Sequence, residues 1–167
     1  MKQKDLEKQL VRVHDWIKSV DQKISVALVL EIGIVALLSR PMTAMLSELY
    51  PSVSTSQALL AALIIFLFGY AVFKAVWALK PRTKMPKRMT SLIFFESIAG
   101  MSLKDYSKKV TKLSVSDYEE DLKSQIHISS VIARTKHRSL AMSLRLLIAG
   151  VALWLILTAW VGYTLLP

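Results

Sequence analysis

Three places in the chain carry polar residues whose types and spacing are suited to binding chemistry. The first is the group Trp16, Asp21 and Lys23, which offers an aromatic ring, a carboxylate and a cation just before the first apolar segment. An interface anchor with solvated neighbours is the alternative for this group. The second is Glu31, in the middle of that segment. An ionisable residue at membrane depth is a functional candidate, although it can also be protonated and simply hydrogen-bonded between helices.

The third place lies ahead of the last apolar segment, where a turn of 100° per residue sorts polar groups into two stripes. One stripe contains Gln125, Ser129, Ile132 and Lys136. Its amide and its cation flank a small serine, which could frame a small anionic ligand between helices. The other stripe is best explained as an anchor to lipid headgroups, and it comprises His127, Arg134, Arg138 and Arg145.

Several function classes are excluded or disfavoured by what the chain lacks. It has no cysteine, and no glycine-rich phosphate loop, HExxH pair or GxSxG elbow. Its three histidines, His14, His127 and His137, do not have metal-ligand spacing and are best explained as solvated or capping residues. We therefore expect no enzyme activity, no metal and no cofactor. The net charge of +10 is explained by attraction to anionic headgroups, so we expect no nucleic-acid partner.

Three apolar segments flank these residues and must position them. Each is a candidate membrane-spanning helix, which needs about 20 residues. Residues 57–79 are long enough, and Lys74 near their end can snorkel to the interface. Residues 146–166 are uncharged and give the strongest signal. Residues 24–39 are short and contain Glu31, so an interfacial or buried helix is the alternative there. We favour a span, because an even number of crossings would place the two basic regions on opposite sides.

The charge distribution predicts the orientation. Every lysine and arginine except Arg40 lies before Ile24 or between Lys74 and Arg145. The positive-inside rule therefore places the amino terminus and the middle region in the cytosol, and Pro167 outside. The predicted organisation is a cytoplasmic helix 1–23 continuous with span 24–39, an external loop 40–56, span 57–79, a cytoplasmic sensing region 80–145 and span 146–166.

The cytoplasmic part is predicted to be helical, giving an all-α membrane protein with a small stalk. A short helix is expected to begin at Thr90 or Ser91 and to end at Gly100, and a second one is expected after a cap at Ser102. A capping box at Ser116 predicts one helix from about Asp117 through the last span. Because such a stalk has little core of its own, we expect a homo-oligomer.

At these residues the sequence resembles the Pycsar transmembrane effectors of bacterial anti-phage defence. The resemblance covers nearly the whole chain, in the family's order and membrane context. It departs from the pattern at Glu96 and Ser97, where glycine and then Asp or His are expected, and at Glu31. The matching residues are Trp16, Asp21 and Lys23; Phe94, Phe95, Ile98, Ala99, Met101 and Ser102; and Gln125, Ile126, Ala133 and Lys136.

The resemblance implies a function. In that system a pyrimidine cyclase makes cyclic CMP or cyclic UMP on infection, and the effector responds by damaging the inner membrane. The implied ligand residues are Lys23 and Lys136 for the phosphate, Trp16 or Phe95 for stacking, and Asp21 and Gln125 for hydrogen bonds to the base. Glu31 and Lys74 would face the interior of a bundle that opens. The alternative is a membrane scaffold that docks a cytosolic partner on the stripe Tyr118, Leu122 and Ile126.

Overall fold

The computed structural model describes residues 3–49, 54–80 and 91–164, and those residues fold as five helices without a strand. Three of the helices are long and apolar enough to cross a membrane, and two short ones lie between the second and third of these. The prediction of an all-α membrane protein with three spans is confirmed. The helices are α1 (Gln3–Leu49), α2 (Thr55–Leu79), α3 (Phe95–Ala99), α4 (Leu103–Thr111) and α5 (Val115–Thr164).

Residues 40–56 were expected to form a loop. The structure differs there, because α1 continues through Pro41 to Leu49. Proline has a helical φ but removes one backbone donor, so it usually ends a helix in water. In apolar segments such positions are tolerated when side-chain hydroxyls bond to the backbone nearby. Here the hydroxyl of Ser39 donates to the Ala36 carbonyl at 2.9 Å, and that of Thr43 donates to the Arg40 carbonyl at 2.8 Å. Neither bonds to the Leu37 carbonyl, whose usual helical donor Pro41 lacks.

Helix α2 begins with a reciprocal cap. The amide of Gln57 donates to Ser54 Oγ at 3.3 Å, and the Ser54 amide donates to Gln57 Oε1 at 3.1 Å. These bonds satisfy backbone donors that the first turn of a helix otherwise leaves unpaired. The span therefore starts at Thr55, two residues before the predicted start.

The start of α5 differs slightly from the prediction. The cap is Ser114, whose Oγ accepts from the Asp117 amide at 3.1 Å, and the predicted cap at Ser116 lies inside the helix. Both serines have an acidic residue three positions on, so the local pattern alone did not distinguish them. From there α5 runs without interruption to Thr164, as expected of a single long helix.

The segment before α5 is less helical than predicted. Only Phe95–Ala99 are helical in the expected 91–100 helix, and Gly100 follows them as the C-cap. Ser102 caps α4 as predicted, since its Oγ accepts from the Asp105 amide at 3.1 Å. The possible start at Thr90 lies outside the described residues.

The described chain divides into two compact units, and α1 and α5 contribute to both. Residues 3–20 and 91–136 form the α3–α4 unit, and residues 21–49, 54–80 and 137–164 form the span unit. The core of the α3–α4 unit joins Leu6 and Leu10 of α1 to Leu122 of α5. Tyr118, Ile126 and Ile93 pack against it. The Tyr118–Leu122–Ile126 stripe, expected to dock a partner, is therefore covered by α1, because its apolar spacing matches that of the amino-terminal helix.

The core of the span unit is built from α1, α2 and α5 around Ile64, Phe68 and Leu157. This core contains a close contact between Gly150 of α5 and Phe68 of α2. A Cβ at Gly150 would lie 2.5 Å from the ring of Phe68, so the buried ring fits against α5 only because residue 150 has no side chain.

Candidate functional site

A cleft of about 420 Å³ opens within the α3–α4 unit. This volume lies in the range of small-molecule sites, which is roughly 300–1,000 Å³. We call it the Gln125 cleft. Its walls come from α1, from the segment entering α3, and from α5, and the lining residues are Leu10, His14 and Ile17; Ile93, Phe94 and Phe95; and Gln125, Ser129, Ile132 and Lys136.

Helix α5 supplies the polar wall of the cleft. Gln125, Ser129, Ile132 and Lys136 recur at steps of four, three and four residues, which keeps them on one face of a helix. All four line the cleft. Gln125 is 4% exposed and Lys136 is 6% exposed, so an amide and a cation are held at the wall of the cleft with little access to bulk water. Lysine is rarely buried to this degree unless it is paired.

The Gln125 amide nitrogen adds a second observation. Nε2 is buried and makes no hydrogen bond among the described residues. A buried donor without an acceptor costs about 1–3 kcal/mol. An acceptor atom that enters the cleft would recover part of that cost.

The second wall is the Ile93–Phe95 segment. Hydrogen bonds of Asp121 and Ser91, which we call the clamp, hold this segment against α5. The Asp121 carboxylate accepts from the Ser91 hydroxyl at 3.0 Å and from the Leu92 amide at 2.8 Å. The Ser91 oxygen in turn accepts from the amides of Ile93 and Phe94 at 3.1 and 3.0 Å. Ser91 is fully buried, so residues 91–94 have a fixed path although they are not helical.

The clamp presents two aromatic rings. The ring centroids of Phe94 and Phe95 lie 5.0 Å apart with 49° between the ring planes, and the Phe95 side chain is largely exposed. An exposed phenylalanine ring at the edge of a cleft can stack on a flat heterocycle. Stacking on a base contributes about 1–3 kcal/mol per ring.

Helix α1 closes the cleft with Leu10, His14 and Ile17. His14 Nε2 lies 3.4 Å from Ser129 Oγ, a long contact in which either group can be the donor, depending on the histidine tautomer. His14 was expected to be a solvated or capping residue. Its position between two apolar residues at helical spacing is a signal that this face is covered, and the structure places the imidazole in the cleft wall.

Beneath the cleft, a further polar contact joins α1 and α5. The Tyr118 hydroxyl donates to Glu7 Oε1 at 3.3 Å. Burial raises the pKa of Tyr118, and the nearby carboxylates of Glu7 and Asp121 add to the rise. Phenol ionisation is therefore disfavoured in the folded unit.

The structure brings three of the six predicted ligand residues together: Phe95, Gln125 and Lys136. Trp16 belongs to the same unit, but its side chain is 56% exposed and does not line the cleft. Asp21 and Lys23 belong to the span unit.

The two predicted intramembrane groups lie in the span unit and differ from each other. Glu31 is fully buried, and its Oε1 is 2.5 Å from Ser143 Oγ. Lys74 is half-buried, with Nζ 5.2 Å from the centroid of the Tyr70 ring one turn earlier on α2. That contact places the lysine along its own helix.

The Gln125 cleft therefore combines an ammonium group, an amide, a hydroxyl next to an imidazole, and an exposed aromatic ring. No acidic residue is found among the described residues that line it. Such a set suits a flat, anionic small molecule: Lys136 supplies donors to the anion, Phe95 a stacking surface, and Gln125 hydrogen bonds to ring substituents.

The family model described as the Pycsar effector protein domain matches residues 5–163. No curated protein and no solved structure matches the chain.

Proposed function

The chain belongs to the Pycsar effector family, and from this premise we propose that it binds a cyclic pyrimidine mononucleotide in the Gln125 cleft and impairs membrane integrity in response. A Pycsar effector acts in defence against phage. The proposal goes further, because it assigns a ligand to this cleft and an output to the three spans.

The observation that carries the proposal is the presence of Lys136, Gln125 and Phe95 in one cleft of suitable volume. A cyclic mononucleotide has one negative charge on its phosphate and a flat base with carbonyl acceptors. Lys136 would contact the phosphate, Phe95 would stack on the base, and Gln125 would hydrogen-bond to the base edge. The predicted ligand roles of Trp16, Asp21 and Lys23 are supported by the family resemblance alone.

The output would be a change in the span unit. A ligand shifts a conformational equilibrium only by the difference between its affinities for the two states. We propose that the nucleotide favours an open or assembled form of a homo-oligomer in the inner membrane. The distribution of lysine and arginine supports a cytosolic amino terminus and an external carboxyl terminus.

Calorimetry of the detergent-purified protein tests the ligand directly. Cyclic CMP, cyclic UMP, cyclic AMP and cyclic GMP are titrated in turn. We expect saturable binding of one pyrimidine nucleotide and much weaker binding of both purine nucleotides. The absence of binding by all four would overturn the proposal.

A membrane assay then tests the output. The protein is reconstituted into dye-loaded vesicles, and the nucleotide that binds is added. Release of dye only with that nucleotide supports the effector role, and intact vesicles at saturating nucleotide contradict it. The scaffold alternative has no supporting observation, because its expected docking stripe is covered by α1.

A further inference from the structure

Three helices of the span unit meet at one buried polar cluster. Ser143 Oγ of α5 lies 2.5 Å from Glu31 Oε1 of α1 and 2.7 Å from the backbone carbonyl oxygen of Ala71 in α2. The side chains of Glu31 and Ser143 are both 0% exposed. Ala71 is a member of the apolar core, so the cluster borders that core.

The number of hydrogens decides how these groups can bond. A serine hydroxyl carries one hydrogen, and here it is within bonding distance of two oxygens. An ionised carboxylate and a peptide carbonyl are both acceptors only. With an ionised Glu31, one of the two short contacts would therefore place two lone-pair oxygens against each other.

We propose that the Glu31 carboxyl holds its proton on Oε1 and donates it to Ser143 Oγ, which donates its own hydrogen to the Ala71 carbonyl. Both contacts are then hydrogen bonds, and the relay links α1, α5 and α2 in that order. No bond is formed or broken beyond these hydrogen bonds. A carboxylic acid kept neutral in an apolar site so that it can donate is an established arrangement in proteins.

The second carboxyl oxygen supports this assignment. Glu31 Oε2 is buried and makes no hydrogen bond among the described residues. In the neutral acid this atom is a weak carbonyl-type acceptor, whereas in the anion it would share a full charge. Leaving a buried charge without compensation costs far more than leaving a neutral acceptor unpaired.

The relay acts as a lock between the three spans. Each hydrogen bond crosses from one helix to another, so separation of any of the three helices breaks at least one of them. This role does not require the nucleotide, and it can be tested without any ligand.

Infrared spectroscopy of the purified protein at neutral pH tests the position of the proton. The C=O stretch of a protonated carboxyl is separate from the bands of a carboxylate. We expect this band in the wild type, its loss in Glu31→Gln, and its retention in the control Glu120→Gln, which alters an exposed acid. A wild-type spectrum without the band, or a band that survives in Glu31→Gln, would overturn the proposal.

Thermal unfolding in detergent tests the lock with a double-mutant cycle. Glu31→Ala and Ser143→Ala should each lower the midpoint by about 5 °C, and the double variant should lower it no further than the more severe single variant. Glu31→Gln should stay within about 2 °C of the wild type, because its amide can donate to Ser143. The control is Thr158→Ala, which removes a hydroxyl that bonds to its own helix. Fully additive losses, or a Ser143→Ala midpoint equal to that of the control, would refute the lock.

Discussion

Two serines on one helix show how differently this protein treats buried polar groups. Ser129 and Ser143 both lie on α5, and both are buried. The Ser129 hydroxyl makes one long contact of 3.4 Å with His14 and faces a cleft of about 420 Å³. The Ser143 hydroxyl lies within 2.7 Å of two partners from two other helices.

The surroundings of Ser129 are suited to an external ligand, whereas Ser143 is bonded within the chain. Around Ser129, the buried amide nitrogen of Gln125 makes no hydrogen bond among the described residues, and space remains beside it. Around Ser143, the hydroxyl, Glu31 Oε1 and the Ala71 carbonyl oxygen are already bonded to one another. Substitutions in the cleft should therefore change ligand affinity, and substitutions in the span unit should change stability.

Lys136→Met is the change that most directly tests the cleft. It keeps the length of the side chain and removes the charge, so nucleotide affinity should fall by about 10- to 100-fold, the range for a hydrogen bond to a charged group. Titration calorimetry measures the loss. The matched control is Lys123→Met on the exposed face of the same helix, which should bind like the wild type. Equal losses of affinity in the two variants would show that only the overall positive charge matters. That result would contradict a specific ligand site in the cleft.

Asp121→Ala should loosen the wall of the cleft. The change removes the acceptor for both Ser91 and Leu92, and the free energy of unfolding should fall by about 1–3 kcal/mol. Denaturant titration measures this fall, and amide hydrogen exchange at Leu92, Ile93 and Phe94 locates it. Glu120→Ala, at the exposed neighbour, is the control and should leave exchange at these amides unchanged. Unchanged exchange in Asp121→Ala would contradict the clamp.

Gly150→Ala should destabilise the span unit without touching the cleft. The new methyl would meet the buried Phe68 ring, and overpacking of this kind costs about 1–3 kcal/mol. Gly162→Ala is the matched control, because nothing lies within 4 Å of a Cβ built there. Replacing a glycine within a helix should raise its stability by about 0.5–1 kcal/mol. Thermal unfolding in detergent should show opposite signs for the two variants, and equal shifts would contradict the close approach.

Tyr118→Phe should have the smallest effect, about 0.5 kcal/mol at neutral pH, because its hydrogen bond to Glu7 is long. The raised pKa of Tyr118 gives this variant a pH signature. The folded protein holds the phenol proton more tightly than the unfolded chain, whose tyrosine pKa is about 10. That contribution to stability is fully present below pH of about 10 and is lost as the pH rises through the folded-state pKa. The decline in stability above pH of about 10 should be less steep in Tyr118→Phe, and identical declines would contradict the assignment.

The features predicted best from the sequence are those that depend on a single helix. The stripe of Gln125, Ser129, Ile132 and Lys136 follows from helical periodicity, and the structure places all four in the cleft wall. The three spans follow from length and hydropathy. The end of α1 was placed wrongly, because a rule for proline derived from helices in water was applied to an apolar segment.

The remaining features depend on residues that are distant in the chain. His14 approaches Ser129, and Asp121 holds Ser91, only when α1 and the segment before α3 are docked on α5. Periodicity shows that the face containing Leu122 is apolar but not what covers it, so the alternative hypothesis placed a cytosolic partner where α1 packs. The bond between Glu31 and Ser143 is hidden from the sequence for the same reason.

The reciprocal cap at the start of α2 has a consequence for how the chain is inserted during synthesis. Its partners, Ser54 and Gln57, lie within four consecutive residues, so both bonds can form as soon as this segment becomes helical. Unpaired backbone groups are costly in hydrocarbon. Because α2 closes its own leading end, it can pass from the translocation machinery into lipid before α5 has been made. The cap at the leading end of α2 therefore depends on no later part of the chain.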